Sequence, residues 1–180
     1  MDHADHVRLL RDGVPREPGT WADLGAGAGA FTLALAELLP AGSAIYAIDR
    51  DRGSLDDLRE RYADFARGRV APALRITLAD FTRDLVIDHL DGVVMANSLH
   101  FVKEKAPMLA RVLGMLRADG RLVLVEYDTD HGNAWVPYPI SFETWSRVAV
   151  DNGFAAPRLL ATVPSRFLRR MYAAMTTPSA

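Results

Sequence analysis

The run Trp21-Ala22-Asp23-Leu24-Gly25-Ala26-Gly27-Ala28-Gly29-Ala30-Phe31 constrains this chain more than any other stretch. It leaves a short apolar segment, Thr20 to Leu24, and crosses three glycines on alternate positions. It then enters a segment with Phe31, Leu35 and Leu38 at helical spacing. The pattern predicts a buried strand, a tight turn and a helix. Glycines at such a junction let the backbone approach a ligand closely, and the first turn of the helix offers free N–H groups. The spacing is Gly-x-Gly-x-Gly, not the Gly-x-Gly-x-x-Gly of a dinucleotide site. Asp23, two residues before the first glycine, repels a pyrophosphate and suits an ammonium group. A zwitterionic ligand of amino-acid type is favoured over a nucleotide phosphate, which argues against a nicotinamide oxidoreductase.

Further acids follow at regular places. Ala44 to Ile48 is a second apolar run, and Asp49 ends it 20 residues after Gly29. An acid at that distance commonly accepts hydrogen bonds from ribose hydroxyls. Leu74 to Leu78 predicts a third strand, followed by Asp80 and Phe81. A carboxylate there suits an adenine amino group while the ring packs on the base. Gly92 to Ala96 predicts a fourth strand that ends at Asn97. Acids at three successive strand ends lie on one edge of one sheet.

The remaining segments complete an alternation of strand and helix, the pattern of a parallel sheet covered on both faces. Residues 3–11 predict a short helix with Val7 and Leu10 inward, stopped by Pro15 and Pro18. Ser54-Leu55-Asp56-Asp57 fits a capping box opening a helix that carries Leu58, Tyr62 and Phe65. Lys105, Leu109, Val112, Leu113 and Leu116 mark a helix closed by Asp119-Gly120, and Arg121 to Val125 a fifth strand. Ser141 caps a helix that Gly153 stops. Two strand-like runs, 158–163 and 166–175, are split by Pro164-Ser165 and predict a hairpin. Five β-then-α units are thus followed by an antiparallel pair.

Composition narrows the class. With 180 residues, one domain over 1–180 is expected, with residues 1–19 as a short helical cap within it. The 21 Lys and Arg nearly balance 23 Asp and Glu, so net charge makes no case for nucleic acid. There is no Cys, which removes disulfides, thiolate nucleophiles and Cys-ligated zinc. No apolar run reaches the ~18 residues of a membrane span. The start, Met1-Asp2-His3-Ala4-Asp5-His6, is polar and unlike a secretory signal, so a cytoplasmic location is expected.

The ordered set resembles the class I S-adenosylmethionine-dependent methyltransferases, a Rossmann-like family. The resemblance rests on Asp23-Leu24-Gly25-Ala26-Gly27-Ala28-Gly29, Asp49, Ala79-Asp80-Phe81, the run Asp91 to Phe101, and the run Leu116 to Glu126. It implies an α/β fold, doubly wound, with a seven-stranded, mostly parallel sheet of order 3-2-1-4-5-7-6 and a C-terminal antiparallel hairpin. It implies S-adenosylmethionine as cofactor and S-adenosylhomocysteine as product. Asp23 and Gly25, Ala26, Gly27 and Gly29 then meet the methionine part, Asp49 the ribose, and Asp80 and Phe81 the adenine. Asn97 and Ser98 lie under the sulfonium end. Arg50 departs from the apolar residue that often follows the ribose acid; it either covers the adenine or points to solvent.

Methyl transfer is an in-line displacement at a sulfonium carbon, so alignment and a dry pocket carry most of it. A base is needed only where the acceptor holds its proton at neutral pH. His100 is the candidate base by position, against a capping or gap-filling role. The loop Asn97-Ser98-Leu99-His100 lacks the Asn/Asp-Pro-Pro-Tyr/Phe run of members that methylate amino groups of nucleobases or glutamine; it resembles small-molecule members. The long connection from Tyr127 to Pro139 supplies Tyr127, His131, Trp135 and Tyr138 as an acceptor wall. No metal is expected, although Asp128, Asp130 and His131 are close in sequence. Arg166, Arg169 and Arg170 on the hairpin either attract an acidic substrate or form a solvated face. The brief segment before the glycine strand leaves the site open or closed by a second copy of the chain. The expected function is a small-molecule methyltransferase. The alternatives are a protein of the same fold that does not catalyse, or a methyltransferase acting on RNA or protein.

Overall fold

A computed structural model describes residues 1–83, 85–165 and 167–179. Seven strands form one sheet of order β3-β2-β1-β4-β5-β7-β6. The strands are β1 (Thr20–Leu24), β2 (Ala44–Asp49), β3 (Ala73–Leu78), β4 (Leu90–Ala96), β5 (Leu116–Tyr127), β6 (Arg158–Ser165) and β7 (Arg169–Thr176). The first five run parallel, whereas β7 is antiparallel to both β5 and β6. The expected architecture is the observed one.

The central strands are buried on both faces, which is why they read as continuous apolar runs. Val93, Val94 and Met95 of β4 and Leu122 to Val125 of β5 have no exposed surface. Alternate residues feed two separate cores. Trp21, Ile45, Val94, Val123 and Val125 join α1 (His3–Leu10) and α2 (Ala30–Leu38) on one face. Ala22, Leu24, Met95, Leu122 and Leu124 join α4 (Lys105–Met115) and α5 (Phe142–Asp151) on the other.

Four local expectations change. The helix α3 (Arg52–Ala66) starts before Ser54, because the Asp51 carboxylate accepts the Ser54 N–H at 2.7 Å and takes the cap itself. The helix α4 ends at Met115, and Leu116 to Gly120 already belong to β5, where Leu116 pairs with Leu90 across a register shift. The pair Pro164-Ser165 lies inside β6, opposite Arg170 and Arg169. Because β6 is the sheet's edge, with pairing on one side only, a proline is tolerated there. Among the described residues no helix stands between β3 and β4, so four crossovers carry helices.

Helix α1 is docked tightly. Val7, Leu9 and Leu10 are buried, His3 meets the Glu37 carboxylate of α2 at 2.8 Å, and the His6 and Phe31 rings are 4.7 Å apart. Among the described residues no helix is long and apolar enough to cross a membrane.

Candidate active site

The strand order reverses between β1 and β4, which are neighbours although four elements separate them in sequence. Ligands of open α/β sheets sit at such a point, outside the carboxyl ends of the strands. A cavity of 230 Å³ lies there, lined by Gly25 after β1, Asp49 and Arg50 at the end of β2, Asp80, Phe81 and Thr82 after β3, and Asn97, Ser98 and Phe101 after β4.

The glycine turn is shaped by contacts rather than by flexibility. Gly25 has φ +85°, and a Cβ on it would stand 2.5 Å from the Ser98 Cβ. Gly29 has φ +84° at the N-cap of α2, and a Cβ there would collide with the Leu58 side chain. Both positions need a backbone that L side chains rarely adopt. Gly27 N–H donates to Asp49 Oδ2 at 2.8 Å, and Asp51 N–H donates to Asp49 Oδ1 at 2.9 Å. The glycine-loop amide that a pyrophosphate would need is therefore aimed at a carboxylate. Gly25 and Ala26 N–H groups are also spent, on the Ile48 carbonyl.

Three buried polar atoms next to this turn have no partner: Asp23 Oδ1, Asn97 Oδ1 and Ser98 Oγ. Asp23 is fully buried behind the turn, and its other oxygen accepts from Thr32 Oγ1 at 2.6 Å. Burial pushes its pKa up to about 6; the Thr32 bond opposes this and the Asp49 charge adds to it. Asp80 is held low, chiefly by the Thr82 hydroxyl, which donates at 2.6 Å, and by the Thr82 N–H at 2.9 Å. The Arg50 and Arg83 charges act in the same direction. Asn97 has φ +54°, a left-handed turn pinned by its N–H donating to the Val125 carbonyl at 2.9 Å.

Asn97 also lines a second, larger cavity of 760 Å³ with Tyr127, Met1, Asp2, Asp5, Pro164, Ser165, Phe167 and Met171. The two cavities thus share one side chain. Of the expected cofactor residues, Gly25, Asp49, Arg50, Asp80, Phe81, Asn97 and Ser98 line the first cavity; Asp23, Ala26, Gly27 and Gly29 do not. Of the expected acceptor residues, Tyr127 lines the second cavity. His131, Trp135 and Tyr138 line neither. Asp128 and Asp130 draw that connection toward α5, accepting from Phe142 N–H and from Ser141 and Thr144. Tyr138 N–H then donates to the His100 carbonyl, and Trp135 is left 76% exposed.

His100 is buried and lines neither cavity. Its Nδ1 lies 3.0 Å from Oε2 of the fully buried Glu126, whose Oε1 accepts the His100 N–H at 3.0 Å. Its ring packs on Phe101 of the first cavity, at 4.3 Å, and Tyr127 of the second, at 6.0 Å. Arg170 pairs with Asp128, Arg169 is exposed with φ +63°, and Arg166 lies outside the described residues. Among the described residues no group of three or more His, Asp or Glu side chains is placed to hold a metal ion.

Sequence reasoning missed Thr82, Phe101 and most of the second cavity. Thr82 carried a signal, since a hydroxyl two residues after an Asp commonly closes a turn on it.

A family model described as a methyltransferase domain matches residues 22–122, from β1 to the middle of β5. The chain belongs to the class I S-adenosylmethionine-dependent methyltransferases. The matched span contains every described residue that lines the first cavity. A highly reducing polyketide synthase, pkhB of Emericella nidulans, is 30% identical over 110 residues, covering 56% of this chain; the chain spans 4% of the length of that curated relative. The solved YcgJ protein of Bacillus subtilis superposes with a TM-score of 0.78 at 12% identity, over 99% of this chain and 100% of that one. The glycopeptide N-methyltransferase MtfA, solved with S-adenosylmethionine, gives 0.72 at 16% identity, over 98% and 94%. At these identities the structures are alike in fold.

Proposed function

We propose that this chain transfers a methyl group from S-adenosylmethionine to a small molecule by in-line displacement. The observation that carries the reading is the sharing of Asn97 between two cavities, one walled by the carboxylates after β2 and β3, the other free of them. The first is the cofactor end and the second the acceptor end.

The residues present fit the cofactor. Asp23 Oδ1, buried without a donor, is matched to an ammonium group. Asp49, already oriented by two N–H donors, has lone pairs left for ribose hydroxyls. Asp80 and Phe81 meet the base, and Arg50 covers the rim beside them. When bound, the cofactor supplies an electrophilic methyl on a good leaving group. The protein's share is alignment and exclusion of water. The pinned Asn97 turn sets where the acceptor stands. His100, the base candidate by position, is buried and lines neither cavity, so its place is to support the Phe101 and Tyr127 rings and not to take the acceptor's proton. Glu126 holds Nδ1, which leaves Nε2 as the lone-pair nitrogen.

The test uses methyl-labelled cofactor with a cell extract divided by size. Label in the small-molecule fraction is expected. Label confined to protein or RNA overturns the reading, and binding of S-adenosylhomocysteine without any label transfer points to a protein that does not catalyse. In parallel, Asp49→Ala is expected to weaken S-adenosylhomocysteine binding at least about tenfold, since a hydrogen bond to a charged group is worth roughly 1.5–3 kcal/mol.

A further inference from the structure

We infer that Glu126 is a positioning residue for methyl transfer, acting through His100. Its carboxylate fixes the Phe101 ring at the cofactor end and the Tyr127 ring at the acceptor end. This rests on the preceding reading of the two cavities.

The sheet brings these groups together. β4 and β5 are parallel neighbours, so the turn after β4 and the last residues of β5 meet at the carboxyl edge. Glu126 is fully buried there, directly after the apolar run Leu122 to Val125. A carboxylate in such a place is costly unless its lone pairs are used, and apolar side chains would fill the space at lower cost. Here the lone pairs are used. Oε1 accepts the His100 N–H at 3.0 Å, and Oε2 accepts the Tyr127 N–H at 3.2 Å. The His100 Nδ1 stands 3.1 Å from Oε1 and 3.0 Å from Oε2. One planar group thus holds the backbone of the β4 turn, the backbone at the end of β5, and a ring between them.

That ring passes the constraint outward. It lies 4.3 Å from the Phe101 ring of the first cavity and 6.0 Å from the Tyr127 ring of the second. Other bonds tie down the same turn: Asn97 N–H donates to the Val125 carbonyl, Tyr138 N–H to the His100 carbonyl, and Lys105 Nζ to the Val102 and Tyr138 carbonyls. The Glu126–His100 pair is the tie that reaches both cavity walls. Asp49 and Asp80, proposed to hold the cofactor, are positioned by Gly27, Asp51 and Thr82 instead. In-line transfer is sensitive to a misplacement of about 1 Å, so a disturbed pair slows transfer and leaves the cofactor's hold in place.

Two variants test this. Glu126→Gln keeps the shape but turns one oxygen into an amide nitrogen, so either the His100 N–H or the Tyr127 N–H meets a donor. His100→Asn puts an amide N–H in the place of Nδ1 and removes the ring. Sites for S-adenosylhomocysteine are counted by calorimetry. Transfer from methyl-labelled S-adenosylmethionine to the small-molecule fraction of a cell extract is expressed per site. In both variants affinity is expected within about threefold of the unaltered chain, and transfer per site at least about tenfold lower. Fluorotyrosine in place of the five tyrosines gives a second readout. The Tyr127 fluorine line, assigned through Tyr127→Phe, is expected to shift or broaden while the lines of Tyr46 on β2 and Tyr62 on α3 stay in place. Full transfer per site in a variant that binds, a fall in affinity as large as the fall in transfer, an unmoved Tyr127 line, or movement of all five lines overturns the inference. So does loss of S-adenosylhomocysteine binding in both variants, which would assign the pair to the fold alone. Absence of transfer by the unaltered chain sinks the reading of the two cavities and this inference with it, whereas failure in the variants sinks only this one.

Discussion

The two ends of the cleft are built in opposite ways. The cofactor end is assembled from the residues that immediately follow β1, β2, β3 and β4, and its groups hold one another: Gly27 to Asp49, Thr82 to Asp80, Asn97 to Val125. The second cavity, proposed as the acceptor end, is assembled from the start of α1, Asn97, the last residue of β5 and the β6–β7 hairpin, with α1 more than a hundred residues before the last two. A site made from consecutive strand ends inherits its geometry from the sheet. A site made from remote segments takes its geometry from how helices and hairpins dock. The first tolerates little change at its backbone, and the second has side chains that can be exchanged without disturbing the sheet.

The largest expected effect follows from that contrast. Gly25→Ala places a Cβ 2.5 Å from the Ser98 Cβ at φ +85°. Left-handed backbone costs an L residue roughly 1–2 kcal/mol, and overpacking adds about 1–3 kcal/mol. S-adenosylhomocysteine binding should weaken at least about a hundredfold, read by calorimetry. Wild-type affinity in this variant would mean that the turn is slack and that the two ends do not differ in rigidity.

The same contrast explains what could be read in the sequence. Asp23, Gly25, Asp49 and Asp80 were legible because each sits at a fixed offset from a strand, and strands announce themselves by composition. The sheet order was legible through the family resemblance carried by those offsets. Local capping was less so: Asp51 and Ser54 can each cap a helix start, and the chain enters the helix at Asp51, whose carboxylate accepts the Ser54 N–H. Pro164 read as a break because nothing in one sequence says which strand forms the edge. Asp2, Asp5 and Phe167 were not legible as site residues, since no local pattern records that α1 and the hairpin turn meet Tyr127. His100 was legible by position, but its burial against Glu126 depends on a pairing across 26 residues.

The next effect is smaller and depends on pH. Asp23 has its pKa raised by burial to about 6 from an ordinary 3.8. A raised folded-state pKa favours the protonated form. The stability it contributes is present below the unfolded value and is lost as pH rises through about 6. The loss amounts to roughly 3 kcal/mol at about 1.4 kcal/mol per unit. An ammonium group pulls the other way, since it selects the carboxylate. Binding of S-adenosylhomocysteine should therefore release a proton below pH ~6, and its affinity should rise about tenfold from pH ~5 to pH ~7. Asp23→Asn should flatten that profile and remove the stability loss at neutral pH. A profile unchanged by Asp23→Asn would assign the proton to another group and detach Asp23 from the cofactor end.

The smallest expected effect is the one that decides where the acceptor end stops. Trp135 is a large aromatic on the connection that leaves β5 at the carboxyl edge, where an acceptor wall is expected. Yet it is 76% exposed and lines neither cavity, as do Tyr138 and His131. The Asn133 side chain takes the Trp135 and Val136 N–H groups at 2.9 Å, so the turn is held by Asn133 and not by the tryptophan ring. Removing an exposed ring from such a turn leaves the fold within about 0.5 kcal/mol. Trp135→Ala should keep both S-adenosylhomocysteine affinity and methyl transfer within about twofold. Phe167→Ala, which strips one of the two packed rings that line the second cavity, should lower transfer and leave S-adenosylhomocysteine affinity unchanged. The reverse result, with Trp135→Ala reducing transfer and Phe167→Ala silent, would move the acceptor from the hairpin side to the outer face of the connection. Asn97 would then divide the cofactor from solvent rather than from substrate, and the contrast between a rigid end and an exchangeable one would have to be redrawn around Phe101, the exposed ring that lines the first cavity.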